Sequence, residues 1–209
     1  MGDRGGAQVT RYRGSLPSAD ALRAFSAIYH VSFPEIERAP YADLVDSVRA
    51  GTRALWMDAS ETAIAVTKPL GTPARDVLLE YLAVSPSARD RGRGGVLFTH
   101  VADRTGGPLV LELEHPAHSD DQHCTRRLGF YRRHGCVPVA CAERYAMPVL
   151  DQGVTVSTLP LLLYDVAGRR AAPLRGEALR DLVSAIWVES YGCSPDDPAL
   201  PALLSGFPC

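Results

Sequence analysis

Lysine is almost missing from this chain of 209 residues: of its 22 basic side chains only Lys68 is a lysine, and the others are arginines. Such a bias is typical of a GC-rich, bacterial genome. No apolar run approaches the roughly 18 residues of a membrane-spanning helix, and the first residues lack the apolar segment of a secretory signal. The formal net charge is only −2, so nothing global indicates nucleic acid or an anionic membrane as a partner.

The cysteines follow no spacing that would pair them or make them metal ligands. The five are Cys124, Cys136, Cys141, Cys193 and Cys209. An odd number without a disulfide or zinc-ribbon pattern predicts free thiols in a reducing cytoplasm. His115, His118 and His123 lie close before Cys124, but they do not place two ligands on one helix face. We therefore expect solvated loop histidines and no metal.

Apolar patterning predicts an alternation of strands and helices. The predicted strands cover 7–13, 53–59, 62–69, 77–84, 108–116, 136–147 and 156–166, with only two residues joining the second and third. The first predicted helix begins at Ser18. Further helices are predicted over about 41–50, over the segments GGVLFTHVADR and HCTRRLGFYRRHG, and over 173–192. This order predicts an α/β (α+β) sandwich, a mixed sheet with helices on both faces. We expect one domain over 1–166, with a C-terminal helix and an irregular Pro-rich tail (167–209) packed on it.

The sharpest local feature is a glycine-rich loop between a strand and a helix. Arg89, Gly92 and Gly94 form R-x-x-G-x-G, followed by Gly95. A strand–helix junction presents backbone N–H groups and the positive helix end to an anion. Glycines let the backbone approach phosphate oxygens closely, and arginines add fork-shaped donors. The loop therefore predicts a diphosphate site.

Two other phosphate-binding loops do not fit these residues. A Walker A loop needs a lysine, and none lies in the segment. A Rossmann fingerprint needs the glycine spacing G-x-G-x-x-G, which positions 92, 94 and 95 do not have. The remaining alternative is an ordinary surface turn with a solvated arginine cluster.

A wider pattern surrounds this loop. Leu82, Val84 and Pro86 precede Arg89 in L-x-V-x-P-x-x-R-x-x-G-x-G, which resembles the acyl-CoA-binding motif of the GNAT (Gcn5-related N-acetyltransferase) superfamily. About 40 residues later, FYRRHGC resembles the family's F-Y-x-x-x-G-F helix end, with Cys136 in place of the usual phenylalanine. The resemblance covers roughly residues 20–166.

The resemblance implies a fold, a co-substrate and the residues that hold it. The fold is a mostly antiparallel sheet of six to seven strands, and the co-substrate is acetyl-CoA or another short acyl-CoA, without a metal. Its pantetheine arm lies where the strand bearing Leu82 to Val84 splays from the next strand. The implied CoA-binding residues are Leu82, Ala83, Val84, Arg89, Arg91, Gly92, Arg93, Gly94 and Gly95.

Acyl transfer to an amine requires a base for the amine, a donor for the oxyanion and an acid for the leaving thiolate. Tyr131 aligns with the family tyrosine near the CoA sulfur and is the candidate acid; a packing tyrosine is the alternative. Glu80, a carboxylate on an apolar strand, is the candidate base, and a structural salt bridge to an arginine is the alternative. A backbone N–H near Val84 is the candidate oxyanion donor.

Further acidic and aromatic residues are candidates for the amine acceptor site. Glu112 and Glu114 lie two positions apart on one strand and face the same way; they could bind a cationic acceptor, replace Glu80 as base, or form a polar strand face. Phe33 and Glu37 lie in the loop between the first two helices, where the family builds its acceptor wall.

These residues together predict an N-acyltransferase that acts on a small-molecule amine by direct attack in a ternary complex, since no cysteine stands in a nucleophile-and-base arrangement. Two alternatives remain open: a catalytically silent acyl-CoA-binding module, and an acyl-CoA hydrolase or decarboxylase on the same scaffold. The C-terminal helix could cover the acceptor groove, mediate a homodimer, or simply pack.

Overall fold

A computed structural model describes residues 8–114, 122–151 and 154–207 of the chain. Within these ranges the chain forms eight strands and six α-helices. The strands are β1 (Val9–Tyr12), β2 (Ala54–Asp58), β3 (Ala63–Pro69), β4 (Val77–Val84), β5 (Leu109–Glu114), β6 (Cys136–Pro138), β7 (Ala146–Asp151) and β8 (Val154–Val166). The helices are α1 (Ala19–Ser32), α2 (Tyr41–Ala50), α3 (Arg93–Arg104), α4 (Gln122–Arg133), α5 (Gly176–Ala185) and α6 (Ala199–Leu204).

The fold is of the predicted mixed α/β class, but the strand count of six to seven was too low. The segment 136–147, predicted as one strand, holds β6, a 3₁₀ turn (Ala142–Arg144) and the start of β7. Pro138 has no N–H to offer a ladder, and Cys141 adopts a left-handed conformation with φ of 55°. Both features end a strand, so the segment divides into two.

The turn between β2 and β3 is longer than predicted, four residues rather than two. Asp58 organises it: its Oδ1 accepts hydrogen bonds of 2.7 Å from the backbone N–H groups of Thr62 and Ala63. An aspartate that bonds to the backbone a few residues on is a common turn device. The side chain thus closes a wider turn than the strand pattern indicates.

The first compact unit contains the residues up to Lys68 together with Leu79–Arg104. Its strands lie in the order β1-β2-β3-β4, and the β1–β2 and β2–β3 pairs are antiparallel. Leu55 and Met57 of β2 pack against buried residues of α1 and α2. Side chains alternate across a strand, so Trp56 points to the opposite face, where its ring lies 6.2 Å from that of His100 in α3. Helices therefore cover both faces of this part of the sheet.

The ends of the first helices follow the sequence signals. Ser18 caps α1, its Oγ accepting a 3.2 Å hydrogen bond from the N–H of Ala21. Gly51 ends α2 in a left-handed conformation, with φ of 77°. The predicted start of α1 and end of α2 are confirmed.

The second compact unit contains Pro69–Leu78 and the residues from Thr105 onward. The long strand β8 pairs antiparallel with β5, β6 and β7. A buried ion cluster lies at its end: Arg170 Nε donates to Asp165 at 2.8 Å and its Nη2 contacts Asp76. Burial raises the pKa of Asp165, and Arg170 only partly offsets this.

The C-terminal segment is more ordered than predicted. The predicted helix over 173–192 consists of α5 followed by one π-helical turn, Ile186–Ser190. The tail, predicted to be irregular, contains α6, whose first N–H (Ala199) donates to Asp197 Oδ1 at 2.9 Å. Proline is tolerated in the first turn of a helix, so Pro198 and Pro201 do not prevent it. The assignment of 167–209 as an appendage to a domain over 1–166 stays a prediction.

Candidate active site

The glycine-rich loop runs from the end of β4 to the start of α3. A short 3₁₀ turn (Pro86–Ala88) leads into Asp90 and Gly92, which are left-handed with φ of 61° and 72°. A Cβ at Gly92 would meet no described atom within 4 Å, so this glycine is needed for its backbone angle rather than for space. Arg89 and Arg91 are exposed on either side of Asp90. The loop is therefore an open, basic turn.

The backbone N–H groups that begin α3 lie at this turn. The N–H of Val96 makes the first helical hydrogen bond, to Gly92 O at 3.1 Å. The N–H groups of Arg93, Gly94 and Gly95 precede that bond and belong to the set that a helix leaves without an intrahelical acceptor. These three residues are half-buried and Gly92 is exposed. The helix start thus presents donors and the positive dipole end to an anion.

Arg93 differs from the other two arginines because its side chain is held within the protein. Its Nη1 donates to Asp58 Oδ2 at 2.8 Å and also to Ser60 Oγ. Burial raises the pKa of Asp58, but hydrogen bonds from Ser60, Ala63 and Thr62 outweigh it, so the pKa lies below its ordinary value. The guanidinium of Arg93 therefore fixes the start of α3 to the β2–β3 turn.

The predicted main-chain contacts for CoA lie at the end of β4. Leu82 and Val84 are half-buried, and Ala83 is buried. Arg89 Nε donates to Val84 O at 3.3 Å, and the N–H of Ser85 donates to Thr62 O at 2.7 Å. The amide of Ser85 is therefore already used, which removes it from the candidate oxyanion donors near Val84.

Glu80, the predicted base, forms a two-point ion pair. Arg53 Nε donates to Oε2 at 2.6 Å and Arg53 Nη2 to Oε1 at 2.9 Å. The two side chains are only 16% and 10% exposed. This is the salt bridge that the sequence left open as the alternative. The role of Glu80 as base stays a prediction.

We expect this ion pair to matter for stability. Arg53→Met leaves the carboxylate of Glu80 largely buried without its cation, which should lower the free energy of unfolding by about 3–5 kcal/mol. Arg49→Met is the matched control, because Arg49 pairs with Asp46 at an exposed position and should cost at most about 1 kcal/mol. Urea unfolding of both variants measures the difference. Equal losses would contradict the structural role of Arg53.

Phe33 and Glu37, the predicted acceptor wall, lie beside Tyr81 of β4. The rings of Phe33 and Tyr81 are in T-shaped contact, 4.9 Å between centroids. The hydroxyl of Tyr81 donates to Glu37 O at 3.2 Å and accepts from the N–H of Ala39 at 3.1 Å. The side chain of Glu37 is exposed. Tyr81 thus holds the loop between α1 and α2 in a fixed conformation.

Glu112 on β5 accepts hydrogen bonds from two tyrosines. Tyr191 Oη donates to Oε1 and Oε2 at 3.0 and 2.9 Å, and Tyr145 Oη donates to Oε1. Tyr145 is fully buried, and burial, followed by the nearby Glu112, raises its pKa well above the ordinary value. Glu112 is therefore held by two phenol hydroxyls that come from distant parts of the chain.

Glu114 lies two residues further along β5, on the same face by strand alternation. Its carboxylate contacts Arg127 of α4 in a partly exposed ion pair. The backbone carbonyl of Glu114 accepts from the thiol of Cys124 at 3.3 Å. The carboxylate of Glu114 is thus paired with a cation, as is that of Glu80.

Tyr131, the predicted acid, lies in the last turn of α4. Its side chain is half-buried and its ring packs edge-on against Phe130, with centroids 5.1 Å apart. Burial, and then the nearby Cys136, raise the pKa of Tyr131, while Arg127 acts in the opposite direction. A phenol with a raised pKa keeps its proton at neutral pH.

The described residues show no metal centre. No group of three or more His, Cys, Asp or Glu among them could hold an ion. His115, His118 and the side chain of His123 lie outside the described residues. Over the same ranges, no helix has the length and apolar character to cross a membrane.

The sequence identified the acidic residues Glu80 and Glu112 but not which side chains bind them. Tyr145 and Tyr191 lie 33 and 79 residues from Glu112, and Arg53 lies 27 residues from Glu80. Pairs so remote leave no spacing pattern in one sequence. The only available signal was that a half-buried carboxylate needs a partner.

Comparison with known proteins gives a fold and little more. No family model and no curated protein matches the sequence. A solved GNAT-family protein from Bacteroides thetaiotaomicron superposes with a TM-score of 0.71 at 19% identity, covering 90% of this chain and 99% of that one. Arabidopsis thaliana NAA60 in complex with acetyl-CoA gives 0.53 at 13%, over 76% and 97%. A GNAT-family protein from Desulfovibrio desulfuricans gives 0.51 at 20%, over 77% and 100%. The fold of this chain is that of the GNAT superfamily.

Proposed function

We propose that this protein transfers an acyl group, in the simplest case acetyl, from acyl-CoA to an amine. The observation that carries the proposal is the start of α3, where the N–H groups of Arg93, Gly94 and Gly95 lie beside a left-handed, arginine-flanked turn. The fold adds support, because NAA60 of the same fold was crystallised with acetyl-CoA. We infer that Arg89, Arg91 and these amides bind the diphosphate of CoA, with Arg93 holding the helix start in place.

We assign the base to Glu112 rather than to Glu80. Both oxygens of Glu80 are engaged by the cation of Arg53, so this carboxylate serves the structure as one half of a largely buried ion pair. Glu112 accepts hydrogen bonds from the hydroxyls of Tyr145 and Tyr191, and a carboxylate whose orientation is fixed in this way can act as a general base. Phe33 and Glu37 stay candidates for the acceptor wall. Glu114, whose carboxylate is paired with Arg127, stays a candidate for contact with a cationic acceptor.

The proposed reaction is a direct transfer in a ternary complex. The amine nitrogen attacks the thioester carbonyl carbon and loses a proton to Glu112. The carbon–sulfur bond breaks, and Tyr131 protonates the leaving thiolate. The products are an amide and free CoA. The four described cysteines are free thiols, in keeping with a cytoplasmic location, and none is needed as a nucleophile.

Tyr131→Phe should lower kcat by about 10- to 100-fold while the Kd for acetyl-CoA changes less than threefold, because only the acid is lost. Because burial raises the pKa of Tyr131, ionisation of this phenol should not limit the rate below its ordinary pKa of about 10. Tyr164→Phe, at a buried position on β8, is the matched control and should retain turnover. A parallel loss of affinity and kcat in Tyr131→Phe would remove the acid role.

The proposed activity is tested by following thiol release from acetyl-CoA with a panel of primary amines. The panel contains small amines, an aminoglycoside and short peptides with free N-termini, and mass spectrometry identifies the acylated product. Amine-dependent release supports the proposal. Release without any amine indicates a hydrolase or decarboxylase. Calorimetric binding of acetyl-CoA without turnover indicates a silent binding module.

A further inference from the structure

Two phenols from distant parts of the chain meet at one carboxylate. Tyr145 precedes β7 and Tyr191 follows the π-helical turn after α5, and both donate to Glu112 of β5. Tyr191 reaches both carboxylate oxygens, at 3.0 and 2.9 Å. Two hydroxyl donors, one of them shared between both oxygens, restrict the rotation of the Glu112 side chain. This arrangement fixes the direction in which Glu112 can accept a proton.

The π-helical turn is the device that brings Tyr191 to this position. The backbone N–H of Tyr191 donates to Ile186 O at 3.3 Å and closes the wide turn. Within the turn, the buried Trp187 donates from Nε1 to Ala146 O at 3.0 Å, next to Tyr145. One turn of the C-terminal segment is thus anchored beside both phenols. Single π-helical turns recur at functional sites, because they redirect a side chain that a regular helix would place elsewhere.

We infer that Tyr191 and Tyr145 are positioning residues for Glu112, so that the segment after β8 contributes one side chain, Tyr191, to the active site. The inference rests on the proposed function, in which Glu112 is the base. It assigns a role to a helix whose contribution the sequence left open between covering, dimerisation and packing.

The surroundings of Glu112 support a positioning role over proton exchange with the tyrosines. Burial raises the pKa of Tyr145, so this phenol stays a donor while the carboxylate is ionised. The described groups near the cluster include the thiol of Cys193, which acts on Tyr145, and the thioether of Met147, 3.9 Å from Tyr191 Oη. Along the same strand, Glu114 is paired with Arg127. The two phenols therefore set the orientation of Glu112 and its readiness to take a proton.

Tyr191→Phe tests the inference, because it removes the hydrogen bonds from this hydroxyl to Glu112 and keeps the ring. Loss of a donor disfavours the ionised carboxylate, so the acidic limb of the kcat/KM profile should move to higher pH by roughly one unit. The KM for acetyl-CoA should stay within twofold. Glu189→Gln is the matched control: it lies in the same turn and bonds to the N–H of Gly71, and its pH profile should not move.

A second measurement does not depend on turnover. ¹³C NMR of carboxyl-labelled protein, with Glu112→Gln to assign the signal, gives the titration midpoint of Glu112 with and without Tyr191→Phe. A higher midpoint together with a shifted activity profile supports the inference. An unmoved midpoint in folded Tyr191→Phe overturns it, whether or not the protein transfers acyl groups. A moved midpoint with an unmoved profile overturns Glu112 as base, while the thiol-release assay still decides the acyltransferase activity.

Tyr145→Phe is the independent variant, measured alone because Tyr145 is fully buried. Circular dichroism confirms that it folds. It should move the midpoint of Glu112 in the same direction as Tyr191→Phe, and an opposite or absent shift would remove Tyr145 from the assignment.

Discussion

Replacing Glu112 with glutamine should reduce kcat/KM for acyl transfer by about 100- to 10,000-fold, the range that a positioned general base contributes. Glutamine keeps the size of the side chain and can still accept from Tyr191 and Tyr145, but it cannot take the proton of the attacking amine. The Kd for acetyl-CoA should change less than threefold, because we assign its diphosphate to other residues. Steady-state rates across pH 6–10, together with calorimetry, measure both quantities.

Glu80→Gln is the matched comparison for this result. It replaces the half-buried carboxylate on β4, whose oxygens are bound by Arg53. We expect a loss of stability, seen in urea unfolding, and a kcat/KM within about tenfold of the wild type once the folded fraction is taken into account. If Glu80→Gln removes activity and Glu112→Gln does not, the base is Glu80, and the ion pair with Arg53 must open during the reaction.

Charge reversal at Arg89 should weaken acetyl-CoA binding by about 10- to 100-fold, since a hydrogen bond to a charged group contributes about 1.5–3 kcal/mol. Arg89 is exposed and its Nε contacts only the carbonyl of Val84 among the described hydrogen bonds, so Arg89→Glu should leave the fold intact. The loss should shrink as salt is raised, because an exposed charge is screened. Calorimetry with acetyl-CoA and with CoA gives the affinities.

Arg104→Glu makes the same change of charge at the other end of the same helix. Arg104 is exposed in the last turn of α3, far along the helix from the amides assigned to the diphosphate. The affinity of the Arg104→Glu variant for acetyl-CoA should stay within about twofold of that of the wild type. Equal weakening by both variants would show a general charge effect and remove the diphosphate assignment.

The parts of the fold that local chemistry controls were predictable from the sequence. Ser18 and Gly51 act on the backbone within a few residues, so the start of α1 and the end of α2 follow from spacing alone. The glycines and arginines of residues 89–95 likewise lie in one continuous stretch, and the structure places them together at the start of α3.

Contacts between distant segments were not predictable in the same way. Nothing near Glu112 in the sequence indicates Tyr145 or Tyr191, because β8 and the π-helical turn bring them there. The extra strand arose from Cys141, whose left-handed conformation a strand pattern does not reveal. Helix α6 depended on Asp197 bonding to Ala199, in a stretch whose prolines indicated irregular structure.

The ion pair between Arg93 and Asp58 affects how a nucleotide would bind. This bond joins the first residue of α3 to the β2–β3 turn through groups of the protein itself, so we expect the entropy of ordering the helix start to be lost during folding and not on association. Because the pKa of Asp58 is lowered, its carboxylate stays ionised, and the ion pair intact, as the pH falls toward the ordinary pKa of aspartate. We therefore expect the start of α3 to keep the same backbone conformation before and after a diphosphate binds.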